Sequence, residues 1–340
     1  MPRSRGGRRT APGAFPQRTM PTHSPYVWGG FIAFVIALLA LDLGVFNRKQ
    51  HVIGVREALM WSVIWIAISV LFGVGVWHYQ GEVSGKAYFL CYVMEKALSV
   101  DNLFVFLAIF SFFAVPAAYQ HRVLFWGILG ALVMRAAFIY AGSELILKYN
   151  WILYVFGGFL VFTGIKLLFH KGEAANPDKS LVVRAVRAVL PVAPHYDGAH
   201  FWTRVNGKLM ATPLLLVLIA IEATDVVFAV DSVPAAIAAV YDPAIGDASI
   251  DTFVIYTSNI MAILGLRALY FALAAMERAF RYLKYGLAAI LVFIGLKMML
   301  SKVVGHVDIT LSLGIVFGLL GASVLASLIA PPRHDGGNPV

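Results

Sequence analysis

Met94-Glu95-Lys96-Ala97-Leu98-Ser99-Val100-Asp101-Asn102-Leu103-Phe104-Val105-Phe106 places three charges and an asparagine inside an apolar run, residues 87–115. A run of that length can cross a bilayer, because about 20 residues rising 1.5 Å each cover the hydrocarbon core. A charge at the centre of a spanning helix costs about 2.5–3.5 kcal/mol on insertion scales. Charges kept at that cost need partners or have a use.

A second stretch repeats the pattern. Ile221-Glu222-Ala223-Thr224-Asp225-Val226-Val227-Phe228-Ala229-Val230-Asp231-Ser232-Val233-Pro234 lies in the apolar run 211–240. When Glu95 is set on Asp225, Asp101 falls on Asp231 and Asn102 on Ser232. At about 100° per residue, Glu95 and Asn102 share a helix face, as do Asp225 and Ser232. Asp101 and Asp231 lie about 120° round from them. The two segments present one polar pattern.

The composition agrees with a bilayer as solvent. The 340 residues are 60% hydrophobic and 13% charged, with a mean hydropathy of +0.80, values of a polytopic membrane protein rather than a soluble domain. One cysteine, Cys91, excludes an intramolecular disulfide and any Cys-based metal or redox motif. The net charge of +9 would suggest nucleic acid in a soluble chain. Here loop lysines and arginines that orient a membrane protein account for it, and no nucleic-acid partner is expected.

Nine runs have the length and apolarity of spans: 27–46, 58–77, 87–115, 123–147, 151–169, 211–240, 250–275, 283–301 and 309–330. They predict an all-α polytopic membrane protein with a transmembrane domain over residues 26–330. Residues 1–25 read as a disordered basic tail and 331–340 as a C-terminal tail. A long basic loop spans 170–210, and within it residues 181–190 put Arg184 and Arg187 on one face of an apolar helix. That segment is either an interfacial amphipathic element or a solvated linker. His195, Asp197 and His200 in the same loop are expected to be solvated.

Counting Lys and Arg in the loops puts the N-terminus outside and the C-terminus in the cytoplasm. Arg48, Lys49, Arg56, Arg122, the basic loop, Arg278, Arg281, Lys284 and Arg333 then face inward. Lys86, Lys148 and Lys302 face outward. The five arginines of the tail oppose this orientation, which favours Met20 as the start of translation.

The repeat extends beyond the acidic stretches. Phe162-Thr163-Gly164-Ile165-Lys166 matches Phe293-Ile294-Gly295-Leu296-Lys297, and Arg135 matches Arg267. Spans 3–5 therefore correspond to spans 6–8. Three spans is an odd number, so the copies are inverted, the 3+3 architecture of secondary transporters with substrate at the midplane between the repeats. Pro234 is expected to break span 6, and spans 1, 2 and 9 to be peripheral.

The intramembrane acids are Asp42, Glu95, Asp101, Glu222, Asp225 and Asp231, and the bases Lys96, Arg135 and Arg267. Lys166 and Lys297 lie near span ends, where they can snorkel. One reading has acids and bases pairing to hold the bundle, and for Arg135 and Arg267 it is the better one. The other takes Glu95, Asp101, Asn102, Asp225, Asp231 and Ser232 as metal ligands, with Asp42 and Glu222 as proton carriers or members of ion pairs, and Lys96 in one of the same two roles. Carboxylate, amide and hydroxyl oxygens suit hard divalent ions, Mg2+, Ca2+ or Mn2+, and not Cu(I) or a Cys/His zinc site. No nucleophile constellation, phosphate loop or dinucleotide fingerprint is present, so no enzyme and no resident cofactor is expected.

These stretches resemble the TerC family of integral membrane proteins, and within it the Alx-type branch. The likeness rests on 95–106, on Gln120-His121-Arg122-Val123-Leu124-Phe125-Trp126-Gly127-Ile128, on Thr212-Pro213-Leu214, and on 223–235. It continues through 258–271 (Ser258-Asn259-Ile260 to Tyr270-Phe271) and Phe293-Ile294-Gly295-Leu296-Lys297-Met298. It implies nine spans, kinship with LysE-type cation exporters, a bacterial plasma membrane, and Mn2+ efflux under alkaline or metal stress. It also brings links to tellurite resistance and to metallation of exported enzymes, hence contact with the secretion machinery. Manganese comes from the resemblance; the ligand chemistry points only to a hard cation.

Translation from Met20 is predicted to leave insertion and activity intact, because it removes the only charges that oppose the orientation. Membrane fractionation of full-length and shortened chains checks this; failure of the shortened chain to insert would make the tail part of the topology signal.

Overall fold

The structure, a computed structural model, describes residues 23–46, 54–149, 151–169, 183, 188–240, 251–275, 282–300 and 308–329. The expectations for the N-terminal tail, for most of 181–190 and for the C-terminal tail lie outside these residues. The described chain is helical except for one hairpin. Its elements are α1 (Pro25–Phe46), α2 (Val55–Gln80), α3 (Glu82–Phe112), α4 (Ala117–Lys148) and α5 (Ile152–Phe169), then β1 (Trp202–Val205) and β2 (Lys208–Ala211). After the hairpin come α6 (Pro213–Val240), α7 (Thr252–Leu264), α8 (Leu266–Ala275), α9 (Leu283–Leu300) and α10 (Ile309–Ile329).

Seven of these helices are long and apolar enough to cross a membrane, or eight if α7 and α8 form one bent span. The expected ninth is α3. It is 31 residues long, about 46 Å at 1.5 Å per residue, and its central charges keep it from the apolar count. It is also a deeply buried helix, with Tyr88, Leu90, Cys91 and Leu103 fully enclosed. Outward-facing residues elsewhere are lipid-like, among them Val63 and Leu71 on α2 and Leu325 and Leu328 on α10. Only 22% of the apolar stretch of α1 and of α10 is buried, against 50% for α9, so these two helices stand at the edge of the bundle.

Local chemistry sets the turns. Gly81 adopts φ +94°, a left-handed conformation that an L side chain resists, and so reverses the chain between α2 and α3 in one residue. Asp251 accepts a hydrogen bond from the Val254 N–H at 3.2 Å and caps α7.

The expected break at Pro234 is absent, and one appears elsewhere. α6 runs through Pro234 without interruption. The break falls at Gly265, where α7 and α8 meet at 42°. Apolar residues flank Gly265 on both sides, so nothing in the local pattern marks it.

The described end of the long loop, residues 188–211, carries the hairpin. Residues Asn206 (φ 51°) and Gly207 (φ 77°) both take positive φ and form the tight turn of the β1–β2 hairpin, with Val205 opposite Lys208. The hairpin region docks on the α3–α4 turn. Tyr196 donates its hydroxyl to the Phe113 carbonyl at 2.7 Å, and the Arg122 guanidinium lies over the Phe201 ring. Asp197 accepts from the Thr203 hydroxyl at 2.7 Å, so it is a bracing group within the loop.

α5 and α9 form the closest helix pair, through small residues. A Cβ on Gly164 would lie 2.8 Å from the Ala288 carbonyl, and one on Gly295 would lie 2.6 Å from the Gly157 carbonyl. Val292 flanks Gly164, and Val161 flanks Gly295. Gly164 and Gly295, Gly157 and Ala288, and Val161 and Val292 are each 131 residues apart. Later residues of one helix meet earlier residues of the other, so the pair is antiparallel and self-complementary under that offset, as an isologous contact is.

Gly295→Ala is expected to destabilise the bundle by about 1–3 kcal/mol, since backbone faces the added methyl and cannot step aside. Gly318→Ala on α10 meets nothing within 4 Å and should not lower the unfolding temperature. Thermal unfolding of the two purified variants checks the difference; equal losses would mean the α5–α9 seam is no tighter than an open helix face.

Candidate functional site

The candidate site is built around Arg135, near the middle of α4 and 2% exposed. Its Nη1 pairs with the Glu95 carboxylate from α3. Its Nη2 reaches Asp225 Oδ1 of α6 at 3.3 Å, and Nη1 also donates to Ser232 Oγ at 3.2 Å. One guanidinium thus joins the first acids of the two matched motifs, which a planar fork of donors is suited to do. Glu95 is 1% and Asp225 4% exposed. Their second oxygens, Glu95 Oε2 and Asp225 Oδ2, are buried without a hydrogen-bond partner.

The neighbouring acid Glu222 lies one helical turn before Asp225 and packs against α4 at Gly130. A Cβ at Gly130 would overlap its carboxylate, so the glycine makes the space that this side chain fills. Beside Asp225 lies a small apolar cavity of about 10 Å3, room for about one water molecule, bordered by Leu103 and Phe106 of α3, Ile128 and Ala131 of α4, and Leu266 and Arg267 of α8.

Arg267 itself pairs with Asp42, at 2.6 Å, and donates to the Asp42 carbonyl at 3.1 Å. Its partner therefore comes from α1, outside the matched spans. Lys96 turns away from the acids. Its Nζ donates to the Ala262 carbonyl at 3.0 Å, in the last turn of α7, where the negative end of a helix dipole favours a cation. The missing Cβ of Gly265 leaves room for it, since a Cβ there would lie 2.9 Å from Nζ and 3.0 Å from Trp65 Cβ. The helix break and the half-buried lysine are thus one local arrangement.

The second acids of the motifs stand apart from this cluster. Asp231 accepts from the Thr163 hydroxyl of α5 at 3.3 Å. Asp101 is half-buried on α3, and Asn102 is buried. Among the described residues no three of His, Cys, Asp and Glu converge to hold a metal ion. Of the six oxygen-bearing residues expected to share one site, the structure gathers Glu95, Asp225 and Ser232, with an arginine between them.

Gly130, Gly265 and the Asp42–Arg267 pair escape a reading of the sequence alone. Two of them are glycines whose significance is the side chain facing them. The third joins residues 225 positions apart.

Asp42→Asn is expected to cost about 3–5 kcal/mol by leaving the Arg267 charge buried and unpaired. The double change Asp42→Asn with Arg267→Gln should recover a large part of it, a coupling that a double-mutant cycle of unfolding free energies measures. Additive losses would show that the two side chains do not depend on each other.

Comparison with known proteins gives the family. Residues 80–335 match the Integral membrane protein TerC family. The chain is 50% identical over 311 residues to "Uncharacterized membrane protein STKORF319" of Myxococcus xanthus, covering 92% of this chain and 94% of the relative. It is 46% identical over 322 residues to "Putative membrane-bound redox modulator Alx" of Escherichia coli (strain K12), covering 92% and 97%. A membrane protein of Rickettsia bellii is 41% identical over 302 residues, covering 89% and 97%. No solved structure matches. The chain is a multi-pass integral membrane protein and belongs to the TerC family.

Proposed function

We propose that the protein is a secondary transporter that exports a divalent metal ion, Mn2+, across the bacterial plasma membrane. The observation that carries this reading is the buried pair Glu95 and Asp225, one from each matched motif, sharing one cation and keeping an unpartnered oxygen each. Intramembrane carboxylates turned to the interior of a bundle mark ion pathways. The proposed ligands are Glu95, Asp101, Asn102, Asp225, Asp231 and Ser232, whose oxygens suit a hard cation. Manganese enters from the family's association with Mn2+ efflux.

The proposed architecture has nine spans, counting α3 and taking α7–α8 as one, with α3–α5 and α6–α9 as inverted repeats. The N-terminus is outside and the C-terminus cytoplasmic. The antiparallel α5–α9 seam, with its constant 131-residue offset, supports the inversion. Glu222 is the proposed proton carrier. Asp42, tied to Arg267, serves as a structural partner.

Two rival readings have different tests. A membrane partner that hands metal to exported proteins would bind the ion and move none. A redox role, which the name of the Alx relatives favours, would fall to a chain whose one cysteine is buried against the Ala236 carbonyl at 3.4 Å. Unchanged resistance to tellurite after Cys91→Ala would dispose of thiol chemistry.

The deciding measurement is Mn2+ flux into proteoliposomes across a set pH gradient, followed by Asp101→Asn and Asp231→Asn. Each substitution keeps size and one carbonyl oxygen but removes the charge. A ligand role predicts normal membrane levels, lost Mn2+ export, and no rescue by altering a basic residue. A purely structural role predicts reduced levels, with an orphaned charge costing about 3–5 kcal/mol. Normal efflux from either well-expressed variant would remove that aspartate from the site, and normal efflux from both would end the site as drawn.

A further inference from the structure

We infer that Arg135 is a tethered resident cation: its guanidinium holds the place of the transported ion, and a cation enters the Glu95–Asp225 site only by displacing it. The inference rests on the transporter reading and names the residue that would set which cations are accepted.

Two observations support it. First, Arg135 stands between the two acids, so an ion bound by both would need the space that its Nη atoms fill. Second, Glu95 Oε2 and Asp225 Oδ2 are buried without a hydrogen-bond partner. Arg135 meets one oxygen of each carboxylate, and a buried charge left half-satisfied is costly. Two carboxylates with free lone pairs offer more ligand oxygens than one guanidinium uses.

The charge balance gives the arrangement its selectivity. Arginine does not lose its proton in proteins, so its charge leaves the site only when the side chain moves. With Arg135 in place the two carboxylates and the guanidinium sum to one negative charge. A divalent ion in its place makes the carboxylates neutral. A monovalent ion would restore the same single negative charge but with fewer, weaker contacts than the forked guanidinium already makes. Arg135 therefore sets a threshold at charge two: Mn2+ can displace it, and Na+ cannot.

The test uses purified full-length protein in detergent, with Arg135→Gln and Arg135→Lys beside the wild type. Equilibrium binding of radioactive Mn2+ is measured with and without NaCl, along with the thermal unfolding midpoint in MnCl2, MgCl2 and NaCl. The inference expects Arg135→Gln to bind Mn2+ about tenfold or more tighter than the wild type. It also expects Na+ to compete in Arg135→Gln and not in the wild type, with Arg135→Lys in between. Unchanged or weaker Mn2+ binding by Arg135→Gln would overturn it, leaving the guanidinium as a prop for the carboxylates. Should Arg135→Gln fold only when Mn2+ is present during purification, the inference is upheld. Should it fold under neither condition while Arg135→Lys binds Mn2+ as the wild type does, the inference is overturned. Wild-type protein that neither binds nor moves Mn2+ would end the transporter reading. The inference is then decided by unfolding: stabilisation of Arg135→Gln by MnCl2, MgCl2 or NaCl beyond that of the wild type upholds it, and none overturns it.

Discussion

A guanidinium enclosed by protein at the middle of a membrane bundle is the constraint on which this structure turns. Arg135 cannot shed its charge, and the low dielectric around it makes an unpaired charge prohibitive. It is therefore obliged to hold Glu95 of α3 and Asp225 of α6 together. Without a cation between them, two buried carboxylates would face each other and the helices carrying them would separate. The same three helices contribute Met94, Ile139 and Ala229 to one cluster of buried apolar side chains.

Two other bases within the helices, Arg267 and Lys96, show different solutions to the same problem. Arg267 takes a carboxylate from α1 and so ties an edge helix to the bundle. Lys96 takes a backbone carbonyl at the end of α7, where the helix dipole and not a side chain supplies negative charge. That solution requires the helix to end inside the membrane, and Gly265 is where it ends. A strongly polar chain interior and a broken helix are thus linked by the need to satisfy one ammonium group.

Much of this was legible from residue order, and the misses have physical causes. Helix positions followed from apolar runs, because lipid leaves the backbone no alternative to internal hydrogen bonding. The special status of Glu95 and Asp225 followed from the cost of charge in such runs. Pro234 was read as a break because proline lacks an amide hydrogen, yet the surrounding helix carries on through it. The hairpin was missed although Asn206-Gly207 is a strong turn signal, since a chain otherwise built of spans directs attention to period 3.6 and away from period 2. Which base meets which acid depends on the angle between helices, and no spacing along one helix encodes it.

The α5–α9 seam carries a consequence for how such a chain could arise. Each side of the seam offers the other a small, a branched and a small residue at matched positions, Gly157, Val161 and Gly164 against Ala288, Val292 and Gly295. A single ancestral unit of three spans, inserted into the bilayer in both orientations, would already possess this contact and could dimerise with its own upside-down copy. Gene fusion would then need only a connection on one side of the membrane, because an odd number of spans leaves the end of one unit and the start of the next on the same face. The segment between Phe169 and Pro213 is far longer than such a connection requires. Its hairpin is material that a chain fused in this way would be free to elaborate on one face only, making two otherwise matched halves distinguishable.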